Sequence, residues 1–212
     1  MPLPTAKAAA NALAAQSRAD ILLIAERVAN GETIAVIRAD FRRAIVRQIV
    51  AQSALGRGGW ERVDRERAGK LAATQFDYLE GFLKDAYAGK VTPVRIAQRA
   101  AMYSDVGRST YENERLLAER DDGKELCSRI LGEQDHCPDC VEWAALGFIP
   151  TEEMLDNYAI GSSICHNNCG CAYIFKRNEN SPTAPAATRA IEAAQSKQQA
   201  YAKAKATKNE GE

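Results

Sequence analysis

The chain has 212 residues, and its 28 Lys and Arg side chains balance 28 Asp and Glu, so the formal net charge is zero. Zero net charge removes the simplest electrostatic argument for nucleic-acid binding, because no excess of basic side chains neutralises phosphates. No run of about 18 apolar residues suggests a membrane span. Residues 1–10 also lack the apolar segment of a secretory signal, which predicts a protein made in the cytoplasm.

Helix-start and helix-end signals divide residues 1–124 into a predicted bundle of about four helices. Thr5 is a plausible N-cap of the first helix, and Asn30-Gly31 is a typical helix ending. The third helix starts near Asp64. The fourth starts at Thr92-Pro93, where the threonine caps free N–H groups and the proline occupies the first helical position.

Apolar residues recur every three or four positions within these segments, which is the period of an amphipathic helix. In the third helix the predicted apolar stripe includes Tyr78, and in the fourth it includes Met102. Gly107 weakens the fourth helix and predicts a kink or break there. Four arginines of the second helix recur at helical spacing, and a solvated helix face explains them better than a nucleic-acid site; they are Arg38, Arg42, Arg43 and Arg47.

A cysteine-rich module is predicted over residues 125–178, followed by a partly disordered, helical tail rich in Ala, Lys and Gln over 179–212. The apolar residues at 126–131 favour a short extended segment. Val141–Leu146 predict one or two helical turns, and Tyr173 and Phe175 predict a strand. The whole chain is therefore expected to be mainly α, with a small α+β module after the bundle.

All six cysteines follow residue 126, so their function is local to the C-terminal half. In a cytosolic protein such clustering favours a metal site over disulfides, because reducing conditions disfavour S–S bonds. Cys137 and Cys140 form a C-x-x-C turn, and Cys165, Cys169 and Cys171 form a second group. Two short groups of this kind are a common source of the four ligands of a tetrahedral Zn²⁺.

More candidate ligands are present than a tetrahedral ion needs. The predicted metal ligands are Cys137 and Cys140 together with two of Cys165, Cys169 and Cys171. His166 is an alternative ligand, and His136 is a poorer one because it is adjacent to Cys137. Four thiolates leave no open position for water, which predicts a structural Zn²⁺.

Other functions of the cysteines are less well supported. Cys127 stands apart from the cluster and is predicted to be a packed thiol. A redox C-x-x-C is possible, but the βαβ context of thioredoxin-like proteins is missing.

The cysteine pattern resembles the C-terminal region of Mu F-type minor head, or head-morphogenesis, proteins of tailed bacteriophages. Those proteins carry a C-P-x-C pair, a glycine-containing linker, and a terminal H-x-N-C-R-C or C-x-x-N-C-R-C element. The likeness covers roughly residues 55–176. It rests on the positions Cys137-Pro138-Asp139-Cys140, Gly147, Gly161, Cys165, His166, Asn168 and Cys169-Gly170-Cys171, and on the helical residues 75–79, Phe82, Gly89, Arg99, Tyr103 and 109–111.

This resemblance implies a virion component that acts near the portal, assists head assembly, and carries a structural zinc site. The implied partners are the portal protein or the major capsid protein, with packaged DNA and self-association as further possibilities and no membrane. Two departures stand out. Gly170 replaces the usual arginine between the last two cysteines, and no proline precedes His166.

Catalysis is not expected from the sequence. Glu112 and Glu114 form an E-x-E pair of the kind found in ADP-ribosyltransferases, but they lie in a helical pattern, where positions i and i+2 do not share a face. The sequence has two histidines, His136 and His166, and both lie in the cysteine cluster. A histidine base for a serine or cysteine nucleophile is therefore not expected elsewhere in the sequence. The alternative function is a cellular zinc-binding adaptor that binds protein or nucleic acid.

Overall fold

The computed structural model describes residues 5–132, 135–164 and 170–176. The predicted mainly α fold is confirmed, with a four-helix N-terminal bundle and a small three-stranded sheet. The helices are α1 (Ala6–Ala29), α2 (Ile34–Arg57), α3 (Arg65–Tyr87), α4 (Pro93–Asp121), α5 (Pro138–Ala145) and α6 (Thr151–Asn157). The strands are β1 (Leu126–Ile130), β2 (Ile149–Pro150) and β3 (Ala172–Lys176). The predicted tail, 179–212, lies outside the described residues.

The chain divides into two compact units, Met1–Arg115 and Leu116–Glu212. This division falls inside α4, whereas the change in composition predicts a boundary after residue 124. The reason is that Leu116, near the end of the long helix, already belongs to the hydrophobic core of the second unit.

The predicted helix caps are present in the first unit. The Thr5 hydroxyl accepts a hydrogen bond from the Ala8 N–H at 3.2 Å, and the Asp64 carboxylate accepts one from Arg67 N–H at 3.0 Å. The Thr92 hydroxyl accepts a hydrogen bond from the Arg95 N–H at 3.4 Å. These side chains satisfy backbone donors that have no partner within the first helical turn, so each helix starts where its cap lies.

The core of the first unit is built from the apolar faces of its four helices. At its centre Phe41, Phe82 and Tyr103 pack with ring centroids 5.9 to 6.1 Å apart. This spacing is typical of stabilising aromatic pairs. Burial among them raises the pKa of Tyr103 to about 12.

Three sequence predictions about these helices are wrong. Tyr78 and Met102, assigned to the apolar stripes, are 64% and 49% exposed. Gly107 does not break α4, which is continuous from Pro93 to Asp121. The glycine instead allows close packing, because a Cβ atom there would overlap the Gln48 side chain of α2.

The second unit contains an antiparallel sheet with strand order β2-β1-β3. The extended segments predicted at 126–131 and around Tyr173 are confirmed as β1 and β3, and the predicted helical turns become α5, which begins earlier, at Pro138. Seven buried residues form the core; they are Leu116, Cys127, Cys140, Met154, Ile160, Cys171 and Tyr173. In the described part of the chain, no helix is both long and apolar enough to cross a membrane.

Candidate metal centre

Three side chains with metal-binding atoms converge in the second unit. His136, Cys140 and Cys171 are all buried, and their potential ligand atoms lie within 4.8 Å of one another. Cys140 lies in the first turn of α5, and Cys171 immediately precedes β3. The structure therefore brings together two distant parts of the sequence at one point.

The distance between His136 and Cys171 suits two ligands of a small tetrahedral ion. The Nδ1 atom of His136 lies 3.6 Å from the Sγ atom of Cys171. Zinc bonds of about 2.0 Å to nitrogen and 2.3 Å to sulfur, at tetrahedral angles, separate two such ligand atoms by about 3.5 Å. One nitrogen and two sulfurs are also the donor types that zinc prefers, so the residues present fit this ion.

A contact with the backbone orients the imidazole ring of His136. Its Nε2 atom lies 3.2 Å from the carbonyl oxygen of Gly132. Because a carbonyl oxygen only accepts hydrogen bonds, Nε2 is the donor in this contact, which leaves Nδ1, facing Cys171, as the ring atom that could bind a metal. Outer hydrogen bonds of this kind orient histidine ligands in metal sites.

The close approach of two glycines helps to bring the ligands together. A Cβ atom on Gly132 would lie only 2.5 Å from the carbonyl oxygen of Gly170. Any larger residue at position 132 would separate the segment that carries His136 from the segment that carries Cys171. Gly170 therefore lies at a tight backbone contact. The family that the cysteine pattern resembles usually has arginine at this position.

A fully buried arginine lies beside Cys140. The guanidinium of Arg129 donates a hydrogen bond to Cys140 Sγ at 3.6 Å and another to the carbonyl of Tyr158, and it stacks on the Trp143 ring at 4.8 Å. A positive charge next to a sulfur favours the thiolate, the form that binds metal. Arg129 was not predicted from the sequence; the available signal was a lone charge in the middle of a predicted strand.

The loop before Cys165 is held close to α5. The backbone N–H of Ile164 donates to the Asp139 carboxylate at 2.9 Å, and the Ser163 hydroxyl lies 3.5 Å from Cys140 Sγ. Asp139 thus has an anchoring role within the C-x-x-C turn. Cys165, His166 and Cys169 lie outside the described residues, so their predicted ligand role stays a prediction.

The remaining described cysteines, Cys127 and Cys137, belong to or pack against the same core as Cys140 and Cys171. Cys137 is half-buried, and its sulfur is not among the converging atoms. Its backbone is extended at the N-cap of α5. The predicted ligand role of Cys137 stays a prediction.

Cys127 is confirmed as a packed thiol. It is fully buried in the core of the second unit, and burial raises its pKa to about 12. The thiol is therefore neutral at physiological pH, whereas a metal ligand must be a thiolate. Substitution of Cys127 is therefore a suitable control for substitution of Cys140 or Cys171.

We expect His136→Ala to lower metal affinity by more than about 100-fold, which exceeds the effect of removing an outer hydrogen-bonding partner. Cys137→Ala is the neighbouring control and is expected to retain the metal. Competition with a chromophoric chelator on the full chain measures both affinities. A result in which Cys137→Ala loses the metal and His136→Ala keeps it would contradict the ligand geometry described above.

The two glutamates of the E-x-E pair have different surroundings in the first unit. Glu114 pairs with Arg57 of α2 at 2.7 Å and with Arg67 of α3 at 3.2 Å. Glu112 pairs with Arg115 at 3.2 Å. Each carboxylate therefore takes part in an ion pair with arginine within the first unit.

The arginines of α2 form ion pairs with acidic side chains of the same unit. Each keeps more than a third of its side chain exposed, and each has a carboxylate partner. The pairs are Arg38–Glu80, Arg42–Glu80, Arg43–Asp40 and Arg47–Asp20. This face is thus an ion-paired, solvated surface, in which Arg38 and Arg42 share Glu80.

Comparison of the chain with protein-family models, with curated proteins and with solved structures found no match. The function proposed below therefore rests on the geometry of His136, Cys140 and Cys171 and on the cysteine pattern of the sequence.

Proposed function

We propose that this chain is a minor head protein of a tailed bacteriophage that assists head assembly near the portal and performs no catalysis. The observation that carries the proposal is the convergence of His136, Cys140 and Cys171 in a small module that follows a four-helix bundle. The resemblance in the cysteine pattern implies the same order, a helical region followed by a zinc site.

The bound ion has a structural role in this proposal. His136, Cys140 and Cys171 would hold Zn²⁺, with a further ligand from the predicted Cys165 or Cys169. Zinc would supply a cross-link between the start of α5 and the segment before β3. A three-stranded sheet with a small core gains much of its stability from such a cross-link, because folding of a small module and metal binding are coupled.

The proposed docking partner is the portal protein or the major capsid protein. The ion-paired arginines of α2 support a protein partner over packaged DNA, because Glu80, Asp40 and Asp20 offset much of their charge. Binding to DNA releases counterions only where unneutralised basic side chains meet phosphates. Contact with DNA is therefore a secondary element of the proposal.

Mass spectrometry of purified phage particles tests this function. We expect the chain in particles at low copy number relative to the major capsid protein, and we expect a tagged full chain to co-purify with the portal or capsid protein. A particle assembled in the presence of Cys140→Ala should contain less of the chain than one assembled with Cys127→Ala. Absence of the wild-type chain from particles would reject the proposal and leave a cellular zinc-binding adaptor as the alternative.

A further inference from the structure

Two polar side chains from different elements of the second unit converge on the sulfur of Cys140. A guanidinium nitrogen of Arg129, in β1, lies 3.6 Å from Cys140 Sγ. The hydroxyl oxygen of Ser163, in the segment after α6, lies 3.5 Å from the same atom. Arg129 and Ser163 are both fully buried, so water does not compete for these two contacts. Hydrogen bonds in such a place are stronger than those at the surface.

The chemistry of a metal ligand determines the direction of both contacts. A guanidinium only donates hydrogen bonds, so Arg129 is the donor to Cys140. A cysteine that binds a metal is a thiolate and has no proton to give. The Ser163 hydroxyl must then be the donor as well. A metal-bound Cys140 therefore accepts one charge-assisted hydrogen bond and one neutral hydrogen bond.

Packing holds the guanidinium of Arg129 in this orientation. A second N–H donates to the carbonyl of Tyr158, and the group stacks over the Trp143 ring at 4.8 Å from its centroid. Trp143 and Cys140 both belong to α5. The helix that supplies the sulfur thus also supplies the surface on which the arginine rests, which is how outer partners of metal ligands are commonly fixed.

We propose that Arg129 and Ser163 are positioning residues of the metal centre that lower the nucleophilicity of the metal-bound Cys140 thiolate and so protect the centre against electrophiles. This inference rests on the structural metal site proposed above. It assigns to the centre an inert sulfur, in keeping with a structural ion.

The reaction that the two donors oppose is alkylation of Cys140. An electron pair of the sulfur forms an S–C bond with the electrophile, and the leaving group departs with the electrons of the bond that breaks. The product is a thioether, which has lost the negative charge and binds zinc weakly. Hydrogen bonds to the sulfur must weaken before its electron pair can attack, so they slow this reaction.

Alkylation of the zinc-loaded full chain with iodoacetamide at one constant pH tests this inference. Zinc released to a chromophoric chelator gives the rate, and mass spectrometry of peptides measures alkylation at Cys140. We expect Arg129→Met to react there about tenfold faster than wild type, because a charge-assisted hydrogen bond is lost. Ser163→Ala, which loses a neutral hydrogen bond, should react about threefold faster.

Ser162→Ala is the matched control for Ser163→Ala. The Ser162 hydroxyl is exposed and donates to the carbonyl of Ala159 at 2.6 Å, so this neighbouring serine does not act on the sulfur. We expect the control to react at the wild-type rate. Circular dichroism verifies the fold of each variant, and if Arg129→Met does not fold, the Ser163→Ala result decides.

The absorption spectrum of the Co²⁺-loaded chain reports on the sulfur directly. Loss of a donor should move the sulfur-to-metal charge-transfer band to lower energy in Arg129→Met and Ser163→Ala, and the band should not move in Ser162→Ala. An unchanged alkylation rate or an unshifted band in a folded, metal-loaded Arg129→Met or Ser163→Ala protein would overturn this inference and leave the metal site intact. A wild-type chain that binds neither Zn²⁺ nor Co²⁺ would overturn both.

Discussion

Cys140→Ala is expected to abolish metal binding and to lower the free energy of unfolding of the second unit by more than about 4 kcal/mol. The sulfur of Cys140 lies with His136 and Cys171 at the point where the ion would join α5 to the segment before β3. Structural zinc contributes on the order of 10 kcal/mol to such small modules, so loss of one ligand removes a large part of their stability. Elemental analysis gives the metal content per chain, and urea unfolding followed by circular dichroism gives the stability.

The matched control for this experiment is Cys127→Ala. Cys127 is as fully buried as Cys140 and belongs to the same core, but it is not part of the converging cluster. We expect this variant to lose only about 1 kcal/mol and to keep one metal ion per chain. The structural metal site would be refuted if wild-type protein purified under reducing conditions contained no metal, or if Cys140→Ala bound metal as tightly as wild type.

Glu114→Gln is expected to lower the free energy of unfolding of the first unit by about 3–5 kcal/mol, the cost of breaking a buried ion pair. Glu114 and Arg57 are both almost completely buried, and their contact joins α4 to α2. The glutamine side chain keeps the shape of glutamate but loses its charge, so the guanidinium of Arg57 loses the charge of this carboxylate in a poorly solvated place. Arg67 adds less, because it is well exposed and solvent screens its charge.

Glu66→Gln on α3 is the control for the Glu114 experiment. Glu66 pairs with Lys70 at 2.5 Å, and both side chains are more than three-quarters exposed. The same substitution there should change stability by less than about 1 kcal/mol, because solvent screens exposed ion pairs. Chemical denaturation of both variants measures the difference. An equal loss in the two proteins would mean that burial does not determine the contribution of the Glu114 pair.

Local interactions explain why most of the helical region could be predicted. Three helices begin with a side chain that accepts a hydrogen bond from the N–H three residues later; these side chains belong to Thr5, Asp64 and Thr92. The capping residue and the N–H that it caps are therefore close together in the sequence. The apolar period then identifies the side of each helix that packs inward. It fails at the edge of a stripe, where Tyr78 and Met102 lie, because the width of the buried face depends on the neighbouring helix.

The sequence also indicates where metal chemistry is concentrated but not which atoms meet. Cys140 and Cys171 could be named in advance because cysteines grouped in a reducing compartment favour metal. That His136 lies with these two sulfurs depends on segments far apart in the sequence, because its Nδ1 atom is 3.6 Å from the Sγ atom of Cys171. The role of Arg129 was hidden for a related reason, since its partners Cys140 and Tyr158 come from other elements.

The sequence by itself determined the helical bundle, its caps and the presence of a cysteine module, because these features follow from contacts within a few residues. Only the tertiary structure decided that Gly107 is a packing position, that Glu114 is a buried ion-pair partner, and that Gln52 bonds to the backbone of α1. Each of these depends on a residue from another helix, and the distance between helices is set by how whole side-chain surfaces pack together.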